Sequence, residues 1–231
     1  TVYGTTLEDR FDYFVGVYNG SPTNQERSTD QNYIVEARAT MSPMGPVNAN
    51  ELPFTAEGED LPTRASFTLQ GYHGKIQTTE ESYNLSNSVL TPVQTSETEE
   101  TTTAGADVWF QQGRLIAFGE YYWRRLEPES TGPAFNSSGA WGQVIVNAYK
   151  DILGVGARAN WIDPNSDLSN DEASILEGQI AWFIKAPEQV LKLRYAWENQ
   201  QSPDEDALGD FILPYPVGTS HVVTLQFTLA F

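Results

Sequence analysis

The sequence contains no cysteine, only two histidines and few basic residues. The absence of cysteine excludes disulfide bonds and thiolate metal sites. Thirteen Lys and Arg residues stand against 31 Asp and Glu residues, a formal net charge of −18. This balance argues against a nucleic-acid partner, because a phosphate backbone requires a basic surface. No apolar run approaches the ~18 residues of a transmembrane helix, although membrane-spanning strands are short and only half apolar, so hydropathy does not exclude them.

Short runs of alternating polar and apolar residues fill most of the chain. Alternation places successive side chains on opposite faces of a strand, and turn residues separate the runs. In the last run Val223, Leu225, Phe227, Leu229 and Phe231 share one face. The pattern predicts an all-β protein of eleven strands, at residues 2–7, 10–19, 32–41, 64–76, 105–112, 114–125, 140–149, 152–161, 173–185, 189–197 and 219–231.

Short and long connections alternate along the chain. Tight turns at one end of a sheet and long polar loops at the other are typical of an antiparallel up-and-down transmembrane β-barrel. We therefore predict one barrel domain over residues 1–231. Residues 77–104 are expected to form a long extracellular loop, and the proline-containing stretch 42–63 a periplasmic-side excursion.

The predicted strands have one apolar face, and its aromatic residues lie near the strand ends. Aromatic belts at two heights are typical of the two membrane interfaces. An alternative is that the tryptophans pack the core of a soluble β-sandwich. The predicted membrane girdle consists of Phe110, Trp123, Trp161, Trp182, Trp197 and Phe231.

The opposite face carries many ions, which would be costly in a dry core. A water-filled lumen removes that cost, so the pattern predicts a pore. Because acids and bases nearly balance, the wall fits either an ordinary mixed-charge pore or one that attracts anions. The predicted pore-lining residues are Glu36, Arg38, Asp107, Glu120, Arg124, Arg158, Glu177, Lys192 and Arg194.

One acidic segment has part of the spacing of a calcium-binding loop. Asp163, Asn165 and Asp167 match positions one, three and five, but Leu168 and Ser174 replace the required Gly and Glu. We therefore predict no bound metal and no cofactor. If a metal were bound, Asp163, Asn165 and Asp167 would be its weak candidate ligands. The residues also form no recognisable catalytic arrangement, and we expect the protein not to be an enzyme.

Several stretches resemble the phosphate-selective porin O and P family of bacterial outer membranes. They are VGVYNG at 15–20, EARAT at 36–40, SPMG at 42–45 and ARANWIDPN at 157–165. The resemblance implies a C-terminal portion of a sixteen-stranded, often trimeric barrel that passes anions. It carries over Arg38, Arg158 and Arg194 as lumen candidates, whereas the family's lysine-rich constriction loop has no counterpart here.

Together these observations predict an outer membrane porin that passes small hydrophilic solutes or ions, including anions such as phosphate. The expected partners are membrane lipid, lipopolysaccharide and further copies in a homotrimer. Two alternatives remain: a barrel that acts as a scaffold or sheath for a partner such as an electron-transfer protein, and a soluble β-protein that binds a sugar or lipid.

Overall fold

In the computed structural model, eleven β-strands form a single sheet. The structure describes residues 1–19, 32–46, 61–86, 89–129, 132–149, 152–185, 189–201 and 218–229. The strands are β1 (Val2–Thr6), β2 (Phe11–Asn19), β3 (Tyr33–Met41), β4 (Leu61–Ser86), β5 (Val89–Gly113), β6 (Leu115–Pro128), β7 (Phe135–Tyr149), β8 (Leu153–Asp163), β9 (Ala173–Lys185), β10 (Gln189–Gln200) and β11 (Gly218–Leu229).

Each strand pairs antiparallel with the next strand in the sequence. The spatial order therefore runs from β1 to β11 without a crossover, and β1 and β11 are the two edges of the described sheet. The predicted all-β class, the count of eleven strands and the up-and-down order are confirmed. The sheet is open between β1 and β11, and sixteen strands remain a prediction.

None of the described segments is a helix with the length and hydrophobicity needed to cross a membrane.

The register gives the sheet two chemically different faces. Asp12, Thr40, Thr68, Asp107, Glu120 and Trp141 are successive partners across β2 to β7 and therefore share one face. We call it the polar face, and it continues through Arg158 and Glu177. The alternate positions form the apolar face, where large side chains such as Leu69, Ile180 and Leu225 are exposed.

The connection predicted as a long loop at 77–104 is instead part of a hairpin. β4 continues to Ser86 and β5 starts at Val89. The two strands keep pairing for ten residue pairs beyond Gly74 and Glu99, where the pairing to β3 and β6 ends. This is a correction, and its cause is that the sequence from 77 to 98 lacks the polar–apolar alternation from which strands are recognised.

The shorter connections lie at the opposite end of the sheet. Gly113 adopts φ 57° at the turn between β5 and β6, a conformation that favours glycine. Of the predicted excursion 42–63, residues 42–46 form a turn and 61–63 already belong to β4, whereas 47–60 lie outside the described residues.

Candidate functional site

The apolar face has a central band without ionic side chains. On the described strands β2 to β11, the central positions on this face are aliphatic, aromatic, glycine or small polar residues, and His73 and Lys75 on β4 and Glu100 on β5 lie beyond them, toward the long-connection end. Ions appear only past the band: Arg125 follows Trp123 by two residues, and Asp163 follows Trp161 by two. Along these strands the tryptophans therefore mark a boundary between apolar and ionic surface.

The predicted girdle residues lie on this face where the structure describes them. Trp161 is 36% exposed and Trp182 is 52% exposed. They lie near opposite ends of the sheet, Trp161 close to the long connections and Trp182 close to the short turns. Phe110, Trp123 and Trp197 are half-buried on the same face; Phe231 lies outside the described residues.

The polar face carries an acidic half on β2 to β6. Asp12, Glu36, Asp107 and Glu120 lie on it at the level of the apolar band together with Arg38, and Arg64 and Arg124 lie on the same face nearer the strand ends. Asp107 and Glu120 are direct cross-strand partners. Like charges in that position destabilise a sheet unless water or donors offset the repulsion.

Neutral donors surround Glu120. The indole Nε1 of Trp141 donates a hydrogen bond to Glu120 Oε2 at 2.8 Å, and Gln70 Nε2 approaches Oε1 at 3.5 Å. Asp107 lines a concavity of about 430 Å³ together with Arg38, Thr40 and Trp109. The acidic half therefore presents carboxylates to an open hollow.

A basic half occupies the same face on β8 to β10. Glu177 is the in-register partner of Arg158 and forms an ion pair with Arg194, at 2.5 Å between Oε1 and Nη2. Lys192 joins these three around a second concavity of about 350 Å³. With three bases and one carboxylate, the lining of this concavity is net positive.

The predicted pore-lining residues are not gathered into one cluster. Arg158, Glu177, Lys192 and Arg194 lie together, whereas Arg38 lies five strands away on β3. Arg124 is near the long-connection end, where its Nε donates to Ser137 Oγ at 3.3 Å. Glu36 lies on β3 in register with Gly16 and Tyr72.

An aromatic cluster on the polar face was missed by the sequence analysis. Trp109 stacks on Phe118 with ring centroids 5.0 Å apart, and Phe118 meets Trp141 edge-on at 4.8 Å. The guanidinium of Arg158 lies 5.0 Å from the Trp141 ring centroid. A signal was present, because each ring has the same parity along its strand as Asp107, Glu120 or Gln143.

The weak metal candidates do not point their side chains to one centre. Asn165 Oδ1 accepts a hydrogen bond from the backbone N–H of Asp167 at 3.1 Å, and Asp167 itself is exposed. In the described part of the chain, no three His, Cys, Asp or Glu side chains form a group that could hold a metal ion.

Comparisons with known proteins add one structure. No family model matches the chain, and no curated protein matches it. Among solved structures, the chain is similar to OmpT, an outer membrane protein of Vibrio cholerae folded in vitro. The identity is 9% and the TM-score is 0.45, with 85% of this chain and 59% of that chain covered. The chain thus spans less than two thirds of the length of that protein.

The prediction that the protein is not an enzyme is corrected at this point. The finding against this prediction is the likeness to OmpT. At 9% identity and a TM-score of 0.45, that likeness carries no statement about catalysis. The two histidines, His73 and His221, lie on β4 and β11, at well-separated places in the sheet.

Proposed function

We propose that these strands form part of the wall of an outer membrane β-barrel through which small hydrophilic solutes or ions diffuse passively. The observation that carries the proposal is the unequal distribution of ionic side chains between the two faces. Ionic side chains cover the polar face, and the band on the apolar face has none. Lipid on one side and water on the other satisfy both faces at once.

A compact soluble sheet explains these faces less well. Large apolar side chains including Leu69, Leu225 and Trp182 are more than half exposed, and no second layer of the described chain covers them. Burying the polar face as a dry core instead would desolvate its many ionic groups, Asp107, Glu120 and Arg158 among them, at several kcal/mol each. A wet lumen avoids both costs.

In this proposal further strands close the barrel. Neither β1 nor β11 can leave its backbone N–H and C=O groups unpaired in lipid, because nothing there replaces the lost hydrogen bonds. The sixteen strands and the trimer implied by the porin O and P resemblance belong to the proposal in the same way. Localisation in the outer membrane follows from the barrel.

The basic half gives the proposed pore a preference for anions, phosphate among them. Arg158, Lys192 and Arg194 face one hollow with only Glu177 to offset them. Charges on the wall of a low-dielectric channel raise the local concentration of counter-ions. The acidic half on the opposite strands works against this effect, so we expect a moderate preference.

The proposal is tested by conductance of the intact protein in planar bilayers. The wild type should give discrete steps, with a reversal potential shifted toward anions in a salt gradient. Lys192→Glu should move that potential toward cations. Arg125→Glu is the matched control: Arg125 pairs with Glu127 at 2.5 Å on the apolar side, past Trp123, where no pore current passes.

Two outcomes would overturn the proposal. Silence in bilayers, with the protein folded, would exclude a pore, and co-purification with a haem protein would then favour the sheath alternative. An equal shift for Lys192→Glu and Arg125→Glu would show that the basic half does not line the conducting path.

A further inference from the structure

Three side-chain oxygens lie buried and without a hydrogen-bond partner where β7, β8 and β9 meet at the long-connection end. They are Oδ1 of Asn136, Oδ1 of Asp163 and Oδ1 of Asp171. Asp171 is only 8% exposed. Its other oxygen, Oδ2, accepts the backbone N–H of Asn165 at 2.9 Å, which fixes the direction of the carboxylate.

The backbone brings these residues to one place. Asp163 is the cross-strand partner of Ser138, and Asn136 lies two residues before Ser138 on the same face of β7. The turn after Asp163 then folds back, because Ser166 N donates to the carbonyl oxygen of Asn136 at 2.8 Å. The bond from Asn165 to Asp171 ties the end of the turn to its start.

All three unpartnered atoms are acceptors, and two of them belong to carboxylates. The carboxylates of Asp163 and Asp171 lie close enough to repel each other. A single bridging water has two hydrogens and can donate to only two of the three oxygens. A cation satisfies all three and removes the repulsion between the carboxylates.

We propose that Asn136, Asp163 and Asp171 form a divalent cation site of the calcium type. Calcium accepts carboxylate and amide oxygens in irregular geometry and fills its shell with water and backbone carbonyls, whereas magnesium demands a near-ideal octahedron. Of the candidates suggested by the loop spacing, only Asp163 is a ligand here. Asn165 acts as a positioning residue, since its backbone N–H orients Asp171.

The small number of charges sets the affinity. Sites with few carboxylates in extracellular modules bind calcium with dissociation constants of about 10⁻⁴–10⁻³ M.

The site lies beside the aromatic belt, because Trp161 precedes Asp163 by two residues and Trp123 is the partner of Ser138. Either indole can sensitise a bound terbium ion.

The test uses terbium luminescence of the intact, folded protein in detergent, excited through tryptophan, with calcium as competitor. The wild type should bind terbium saturably and release it to calcium. Asp163→Asn and Asp171→Asn should each weaken binding by at least about tenfold, the loss typical even of indirect metal partners. Asp167→Asn is the control from the same turn and should bind like the wild type.

The unfolding temperature is a second readout, which distinguishes a role of Asp171 as a cation ligand from a purely structural role. Without divalent ions, Asp171→Asn should raise the apparent unfolding temperature, because it removes a buried charge and keeps an acceptor for Asn165. Added calcium should raise that temperature for the wild type and leave the variant unchanged.

Three results would overturn the inference. They are non-saturable terbium binding to the wild type, equal weakening by Asp167→Asn, and a calcium response retained by Asp171→Asn. The first of these would mean that water or nothing fills the space between the three oxygens.

Discussion

The two faces of the sheet share the same strands and differ in how they tolerate charge. On β10, Leu193 and Tyr195 lie on one side and Lys192 and Arg194 on the other, at neighbouring positions. The apolar side leaves its large residues exposed and carries no ion in its band. The polar side places Asp107 directly opposite Glu120, and among the described residues no ion pair joins either carboxylate to a base. Opposed carboxylates of this kind are tolerated where water reaches them, and the proposed pore would supply that water on the polar side.

The largest expected effect comes from putting a charge on the wrong face. Leu193→Arg should destabilise the protein folded in lipid by about 2–4 kcal/mol, the cost of a cation on the lipid side of a barrel near the midplane. Thr40→Arg, which lies on the polar face directly opposite Asp12, should cost far less. Urea unfolding followed by tryptophan fluorescence measures both, and equal costs would remove the distinction between the faces.

Trp141→Phe tests how much the hydrogen bond from Trp141 stabilises the carboxylate of Glu120 on the polar face. The variant loses the N–H bond to Glu120 and weakens the contact with Arg158. We expect a loss of about 1–2 kcal/mol in the free energy of unfolding. Trp161→Phe on the apolar face serves as the control with the same change in volume. A larger loss for the control would show that the aromatic cluster does not stabilise the wall.

Glu177→Gln sharpens the comparison further, because it breaks an ion pair without removing volume. In a dry core the stranded Arg194 would cost 3–5 kcal/mol, whereas a solvated pair contributes about 1 kcal/mol or less. We expect the smaller figure, together with a reversal potential shifted toward anions. A cost in the larger range would contradict a water-filled lumen.

The smallest effect is a dependence of stability on pH that comes from Asp171, in the turn before β9. The pKa of Asp171 is raised from its ordinary 3.8, so the folded state holds this proton more tightly than the unfolded chain. Its contribution to stability is therefore present below pH 3.8 and is lost as the pH rises through the folded pKa. With a chelator present, the advantage of Asp171→Asn over the wild type should grow as the pH is raised; a constant difference would contradict the shift.

Strand number, order and facing could be predicted from the sequence, because alternation reports directly which side chains share a face. The same rule failed between Gln77 and Thr98, where polar and apolar residues do not alternate along the sequence. Trp109 and Trp141 were within reach of the rule and were overlooked.

The composition of the candidate sites was harder to foresee. Arg38 and Arg158 lie five strands apart, so their relative position depends on the register of every strand pair between them. No local sequence pattern encodes that sum of registers. The approach of Asp171 to Asp163 depends on a turn closed by backbone bonds from Ser166 and Asn165. Spacing alone therefore selected Asp167, which the turn leaves in solvent.

The hairpin of β4 and β5 has a consequence for the size of the particles that can approach the polar face. Its ten outer pairs extend past β3 and β6 for about 30 Å at the usual rise per residue. A large particle approaching the sheet along the strand direction from that end would meet this projection well before it reached the two concavities of the polar face. In the proposed pore, discrimination between macromolecules and small ions would therefore begin outside the wall.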